Sequence, residues 1–282
     1  YDINLKKIII YIMESSVIVE NLQFKYNDKV IFEKLCLELY FNKCYVLSGL
    51  NGSGKSTILK LLAGKTMCDF DKLKVLNKDP FRDTCLNKDI TFINNDWGMK
   101  TQAFSGTSPL QSSMKVKEMM VQLKLDFPER NKELIDVLKI NEEWRLNAIS
   151  DGQRKRIQIY LNLIKPFKIC LLDEITVNLD LLVKDRLMEY LKKESLTREC
   201  TIIYVTHIFD GLNDWCTDLI YLKKNKEIHI IPTHEIDDIY KYLLARFKEE
   251  EDNEKEKEEL NIELSSRNAG GYSHGVLINY KI

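Results

Sequence analysis

An α/β fold is predicted for this chain, with a mixed sheet core, an antiparallel β edge and a helical insertion, and three features predict it. Short apolar runs bounded by charge recur along its 282 residues, the pattern of strands covered on both faces of a parallel sheet. Segments of helical spacing alternate with these runs, which is the order of an α/β fold. One of the runs ends in a glycine-rich turn that opens directly into an amphipathic helix. Hydrophobic residues make up 44% of the chain and charged residues 30%, so a sizeable core can form and pervasive disorder is excluded.

Taken in order, residues 1–12 hold the run Ile8, Ile9, Ile10, Tyr11 and Ile12, too short for a signal-peptide core and followed by no small-residue cleavage site. We expect Met13 to be the start and residues 1–12 to be a non-native extension. One domain is expected over 13–247, with strands at 17–22, 43–48, 169–172 and 201–206. A late hairpin is expected from strands at 219–222 and 227–231, joined by the polar turn 223–226. Helical spacing is clearest at 56–62, 114–123, 132–138, 152–164 and 182–191. Residues 97–149 lack strand-like runs, and a helical insertion is expected over about 97–165. Residues 248–259 hold eight acidic and three basic residues, a solvated helix extension or linker leading to the tail, so 248–282 is set apart.

Charge and cysteine usage narrow the partners and the compartment. Lys and Arg total 42 against 43 Asp and Glu, a formal net charge of −1, so there is no global basic field of the kind that drives nucleic-acid binding. The basic triplet Arg154, Lys155 and Arg156 points to different faces of its helix, and no direct nucleic-acid partner is expected. No apolar run approaches the roughly 20 residues that span a bilayer, so a membrane is expected only through a separate subunit. The seven cysteines are odd in number, irregularly spaced and without a CxxC pair. Buried, reduced thiols are expected, and with them the cytoplasm, or the nucleus, as the compartment.

The strongest chemical signal is the turn Gly49, Leu50, Asn51, Gly52, Ser53, Gly54, Lys55, Ser56, Thr57, which fits G-x-x-x-x-G-K-[ST] between a buried strand and a helix. Glycines let successive N–H groups converge on phosphate oxygens, and the helix adds its N-terminal partial positive charge. Lys55 reaches the β- and γ-phosphates, and the Ser56 hydroxyl can ligate Mg²⁺. The second signal is the apolar run 169–172 ending in Asp173 and Glu174, two acids at the carboxyl end of a strand, where α/β folds bind ligands. Asp173 suits Mg²⁺, and Glu174 suits a general base that polarises water. A nucleoside triphosphate with Mg²⁺ is therefore the expected ligand.

The third signal is Ser150, Asp151, Gly152 and Gln153, lying 23 residues before Asp173. Ser150 can cap the helix that follows, and such a tip is an anion site. The segment resembles the signature motif of ABC ATPases, and the whole resemblance runs from about residue 17 to 231. By that resemblance Asn178, Leu179 and Asp180 form the D-loop, and His207, 33 residues after Glu174, is the switch histidine that meets the γ-phosphate together with Lys55. The same resemblance implies that the nucleotide is ATP and that Tyr26 stacks on its adenine. The resemblance also implies that two copies, or this chain and a related ABC domain, sandwich ATP head to tail, so that Ser150, Gly152, Gln153 and Asp180 complete the partner's site.

Three departures stand out. Asp151 replaces a signature glycine and is expected to point away from phosphate or to pair with a neighbouring base. Ile175 replaces the usual proline after the acid pair. The Q-loop glutamine is absent, leaving Asn95 or Asp96, and Asn95 is taken as the candidate for reaching Mg²⁺ or its water. The combination of Ser-Asp-Gly-Gln at 150–153, Asp-Glu-Ile-Thr-Val-Asn-Leu-Asp at 173–180, Thr-His-Ile-Phe-Asp-Gly-Leu at 206–212 and the tail Asn-Ala-Gly-Gly-Tyr at 268–272 is similar to the soluble, transporter-free, carbon-catabolite-repressor-associated ABC ATPases. That similarity implies a regulatory ATPase linked to a transcription and mRNA-deadenylation complex. The alternative is the nucleotide-binding subunit of a transporter whose membrane protein is separately encoded.

Overall fold

The computed structural model of the chain describes residues 14–94, 113–224 and 226–270. The chain divides into one unit running to Ile239 and a second beginning at Tyr240. The first unit opens with β1 (Ser15–Tyr26) and β2 (Lys29–Tyr40), an antiparallel hairpin. Asn27 and Asp28 form its two-residue loop, and Asn27 takes φ 50°, the left-handed region that such loops require. β3 (Cys44–Ser48) is buried at every residue and leads through the glycine turn into α1 (Lys55–Leu62). β4 (Lys72–Val75) pairs antiparallel with β1, and β5 (Ile90–Ile93) lies at the edge of a second sheet.

Of the helical insertion expected over about 97–165, residues 97–112 lie outside the described residues, and the described remainder is helical. It contains α2 (Val116–Asp126), α3 (Pro128–Leu138) and α4 (Asp151–Leu163). Pro128 opens α3, where a missing N–H costs nothing. Then follow β6 (Ile169–Asp173), α5 (Leu181–Arg198), β7 (Thr201–Val205), and the hairpin strands β8 (Asp218–Leu222) and β9 (Ile228–Pro232). The chain continues as α6 (Ile239–Gly270), which carries the acidic run 248–259.

The sheets confirm the mixed α/β class. One has three antiparallel strands in the order β2-β1-β4, and the other six in the order β5-β6-β7-β3-β8-β9. The first five strands of the larger sheet run parallel, and β9 closes the edge antiparallel to β8. The two sheets share one core with α1: Leu22, Phe32 and Leu73 from the small sheet join Leu47, Leu59 and Ile203. Because β6, β7 and β3 are neighbours, their carboxyl ends share one edge of the sheet.

Several elements differ from expectation. β1 runs four residues past 22, to Tyr26, and β2, β4 and β5 were not anticipated. In β2 the buried residues Phe32 and Leu35 are three apart, facing Phe24 and Leu22, so an extra residue breaks the alternation that would mark a strand. β4 and β5 have four residues each, too few to display a period. Cys44, Cys170, Cys200 and Cys216 are buried as expected, whereas Cys36 and Cys85 are exposed. Cys36 lies on β2, the outer strand of the small sheet, where every second side chain faces out.

Candidate functional site

The glycine turn takes its shape from contacts around it. A Cβ on Gly49 would meet the Leu222 carbonyl oxygen at 2.3 Å, and one on Gly54 would meet Phe32 Cζ at 2.5 Å. Gly54 also sits at φ 112°, a conformation that side-chain-bearing residues rarely adopt. Lys55 is buried, and its Nζ donates to the carbonyls of Gly49 at 2.8 Å and Leu50 at 3.1 Å. Burial pushes its ammonium pKa down, and the carboxylates of Glu174 and Asp173 push it back up. Ser53 Oγ is buried inside the turn without a hydrogen-bond partner.

The acids lie on the neighbouring strand. Asp173 ends β6 beside Val205 of β7, with the Ser56 hydroxyl near enough to its carboxylate to favour the charged form. Burial raises the Asp173 pKa above the ordinary carboxylate value, as does the charge of Glu174, against the Ser56 hydroxyl and the lysines 60 and 55. Glu174 takes φ 51°, with its N–H donating to the Val205 carbonyl at 2.9 Å. That turn brings Glu174 Oε1 to 3.2 Å from His207 Nε2, which follows β7. Lys55, Ser56, Asp173, Glu174 and His207 are thus brought together from three parallel strand ends.

The signature segment is built as a capped helix start. Ser150 Oγ accepts from Gln153 N at 3.2 Å, and Gln153 Oε1 accepts from Ser150 N at 2.9 Å, a reciprocal capping box. Asp151 pairs with Arg154 Nη1 at 3.3 Å, as expected for a carboxylate turned from the tip. Arg156 pairs with Asp180, whose Oδ1 caps α5 by accepting from Val183 N at 3.0 Å. Ser150 and Gln153 bond to each other rather than to the glycine turn of the same chain. A Cβ on Gly152 would lie 2.7 Å from the Asn178 carbonyl oxygen, so the signature helix packs on the backbone of the D-loop segment. Gly152→Ala is expected to cost about 1–3 kcal/mol through this overpacking. The urea midpoint measures it, and an unchanged midpoint would refute the contact.

Tyr26 ends β1, is 44% exposed and makes a T-shaped contact with Phe24 at 4.7 Å between ring centroids. Asn95 lies outside the described residues. Two lysines near the motifs were missed. Lys155 is buried, with its Nζ donating to the Asn94 carbonyl at 3.2 Å, and burial pushes its pKa down to about 8. Its signal was legible, since Lys155 stands one and two turns before the buried Ile159 and Leu163 on the inner face of α4. Lys226, in the turn after β8, donates to two carbonyls of the glycine turn, and no local pattern announces it.

A glycine turn between β3 and α1, beside a strand ending in two acids, defines a P-loop nucleotide-binding domain. The ABC transporter family model matches residues 32–177, and the chain belongs to this family of ATP-binding domains. It is 39% identical over 244 residues to ABC transporter I family member 20 of Arabidopsis thaliana, covering 82% of this chain and 74% of that one. It is 36% identical over 219 residues to CCR4-associated factor 16 of Saccharomyces cerevisiae, covering 74% and 75%. The solved structure of an ATP-binding subunit of an ABC transporter shares the fold, with a TM-score of 0.63 at 17% identity, covering 78% of this chain and 91% of that one. Among the described residues no helix is long and apolar enough to cross a membrane.

Proposed function

We propose that the chain binds ATP with Mg²⁺ and hydrolyses it to ADP and phosphate, acting head to tail with a second copy or a related ABC domain. The observation that carries this reading is the convergence of Lys55 and Ser56 at the start of α1, Asp173 at the end of β6 and the Glu174–His207 pair on one sheet edge. The pocket chemistry fits the ligand: Ser56 and Asp173 offer hard oxygens, and the buried Ser53 hydroxyl awaits a partner. Ser56 and Asp173, with Asn95, would hold Mg²⁺, which neutralises charge on the phosphates.

The chain's own groups perform the rest. The N–H groups of residues 49–57 and the amino end of α1 hold the phosphates. Lys55 exchanges its two carbonyl partners for phosphate oxygens. Glu174 accepts the proton of the attacking water, and His207 orients that carboxylate and meets the γ-phosphoryl oxygens. Tyr26 stacks on the base. The tip formed by Ser150, Gly152 and Gln153, with Asp180 beside it, serves the nucleotide held by the partner.

The reading extends to a regulatory ATPase of the cytoplasm or nucleus, linked to a transcription and deadenylation complex, and the similarity to a relative named as CCR4-associated supports that association. The transporter names among the relatives favour a second reading, a subunit that joins a separately encoded membrane protein. Affinity purification from native cells separates the two: a deadenylase or transcription complex supports the first, a polytopic membrane protein the second. For the nucleotide itself, Lys55→Ala should weaken ATP binding at least about tenfold, the loss of charge-assisted phosphate contacts. Calorimetry reads this, and unchanged affinity would refute the role of that lysine.

A further inference from the structure

The turn after β8 lies beside the glycine turn because β8 is the parallel neighbour of β3, with Ser48 opposite Tyr221. Two contacts join the turns. The Leu222 carbonyl closes on Gly49, where a Cβ would lie 2.3 Å away. Lys226 Nζ donates to the carbonyls of Gly52 at 3.3 Å and Ser53 at 3.0 Å. Lys226 itself is set by a tight hairpin turn: its N–H donates to the Lys223 carbonyl at 3.0 Å and its φ is 75°.

We propose that Lys226 is a positioning residue for the phosphate-binding turn, holding the Gly52 and Ser53 carbonyls so that the turn stays closed and the Gly54 N–H keeps the direction a triphosphate needs. The described peptides are all trans, so each N–H points away from the carbonyl of its own peptide. With the Gly52 carbonyl on Lys226, the Ser53 N–H turns inward and closes on the Leu50 carbonyl at 3.2 Å. With the Ser53 carbonyl on Lys226, the Gly54 N–H is directed to the far side, at the amino end of α1. The first half of the turn is held differently, by Lys55 on Gly49 and Leu50. Lys55 must leave those carbonyls to reach phosphate, whereas Lys226 comes from another strand and keeps its grip in both states. Burial lowers the Lys226 pKa, as do the charges of Lys29 and Lys224, and an incoming polyanion relieves that crowding.

This inference rests on the nucleotide reading above, and the experiment separates the two. ATP affinity by calorimetry, steady-state turnover and thermal midpoint are measured for the full chain and for Lys226→Met, Lys226→Arg and Lys55→Ala. Lys226→Met should raise both the ATP Kd and KM about tenfold, with kcat nearly unchanged because the turn grips phosphate before and during reaction. Lys226→Arg should restore both constants, with the thermal midpoint constant throughout. Native affinity in Lys226→Met alongside weak binding by Lys55→Ala overturns the role of Lys226 alone. A loss that tracks a fallen midpoint and resists rescue by arginine also overturns it. Failure of the native chain to bind ATP overturns the nucleotide reading and this inference with it.

Discussion

Glu174→Gln is expected to lower ATP turnover by about 10²–10⁴-fold, the contribution of a positioned general base, while ATP affinity stays within a few-fold of native. The substitution is close to isosteric. Gln keeps an oxygen in place of the carboxylate that lies 3.2 Å from His207 Nε2, so that side-chain neighbour is retained. The backbone contact from residue 174 to the Val205 carbonyl, at 2.9 Å, does not involve the side chain. What disappears is the capacity to take a proton from water. In the proposed head-to-tail arrangement the phosphate contacts from both copies remain, so the variant should accumulate as a two-copy assembly in Mg-ATP. Sedimentation with and without Mg-ATP tests this. Native turnover, or a variant that stays monomeric at saturating Mg-ATP, would contradict the mechanism.

Arg130→Ala is expected to have the largest effect on stability. Arg130 is 5% exposed on α3 and ties three helices together. Its Nε donates to the Leu163 carbonyl at the end of α4 at 2.7 Å, and its Nη1 lies 2.5 Å from Glu194 Oε2 on α5. The guanidinium also covers the rings of Phe167 at 5.4 Å and Tyr190 at 5.6 Å. Truncation leaves Glu194, itself 3% exposed, with only the partly exposed Arg198 at 3.0 Å. Removing one partner of a buried pair costs about 3–5 kcal/mol, and the surviving Arg198 contact puts this case near the lower end. About 3 kcal/mol corresponds to a fall of roughly 6–12 °C in Tm for a domain of this size. Arg130→Met with Glu194→Leu should recover most of that loss, because no charge is then stranded in the core. A Tm within about 2 °C of native for Arg130→Ala would show that the pair does not hold the helices to α5.

The chemistry of the site was legible wherever function depends on local order. The turn 49–57 declares itself because a phosphate-gripping loop needs its glycines, lysine and serine at fixed spacing between one strand and one helix. Ser150 announced a helix start, and the capping box with Gln153 is what a serine followed three residues later by glutamine specifies. The apolar run before Asp173 read as a strand for the same reason, since a strand buried on both faces has no polar side to show. β2 did not read as a strand, because its irregular pairing with β1 puts Phe32 and Leu35 out of alternation. Asn95 was chosen on sequence position alone and lies outside the described residues.

By itself, then, the sequence determined the class of domain, the phosphate turn, the acid pair and the capped signature helix, since each is written in residues adjacent along the chain. Only the tertiary structure decided that β6, β7 and β3 stand side by side and so deliver Asp173, Glu174, His207 and Lys55 to one edge. It alone placed Gly152 against Asn178, Arg130 against Glu194, and Lys226 over the glycine turn. These contacts join residues from 26 to 174 positions apart, and which distant segments become neighbours is settled by how the strands pair and the apolar faces pack, quantities that no local period or spacing records.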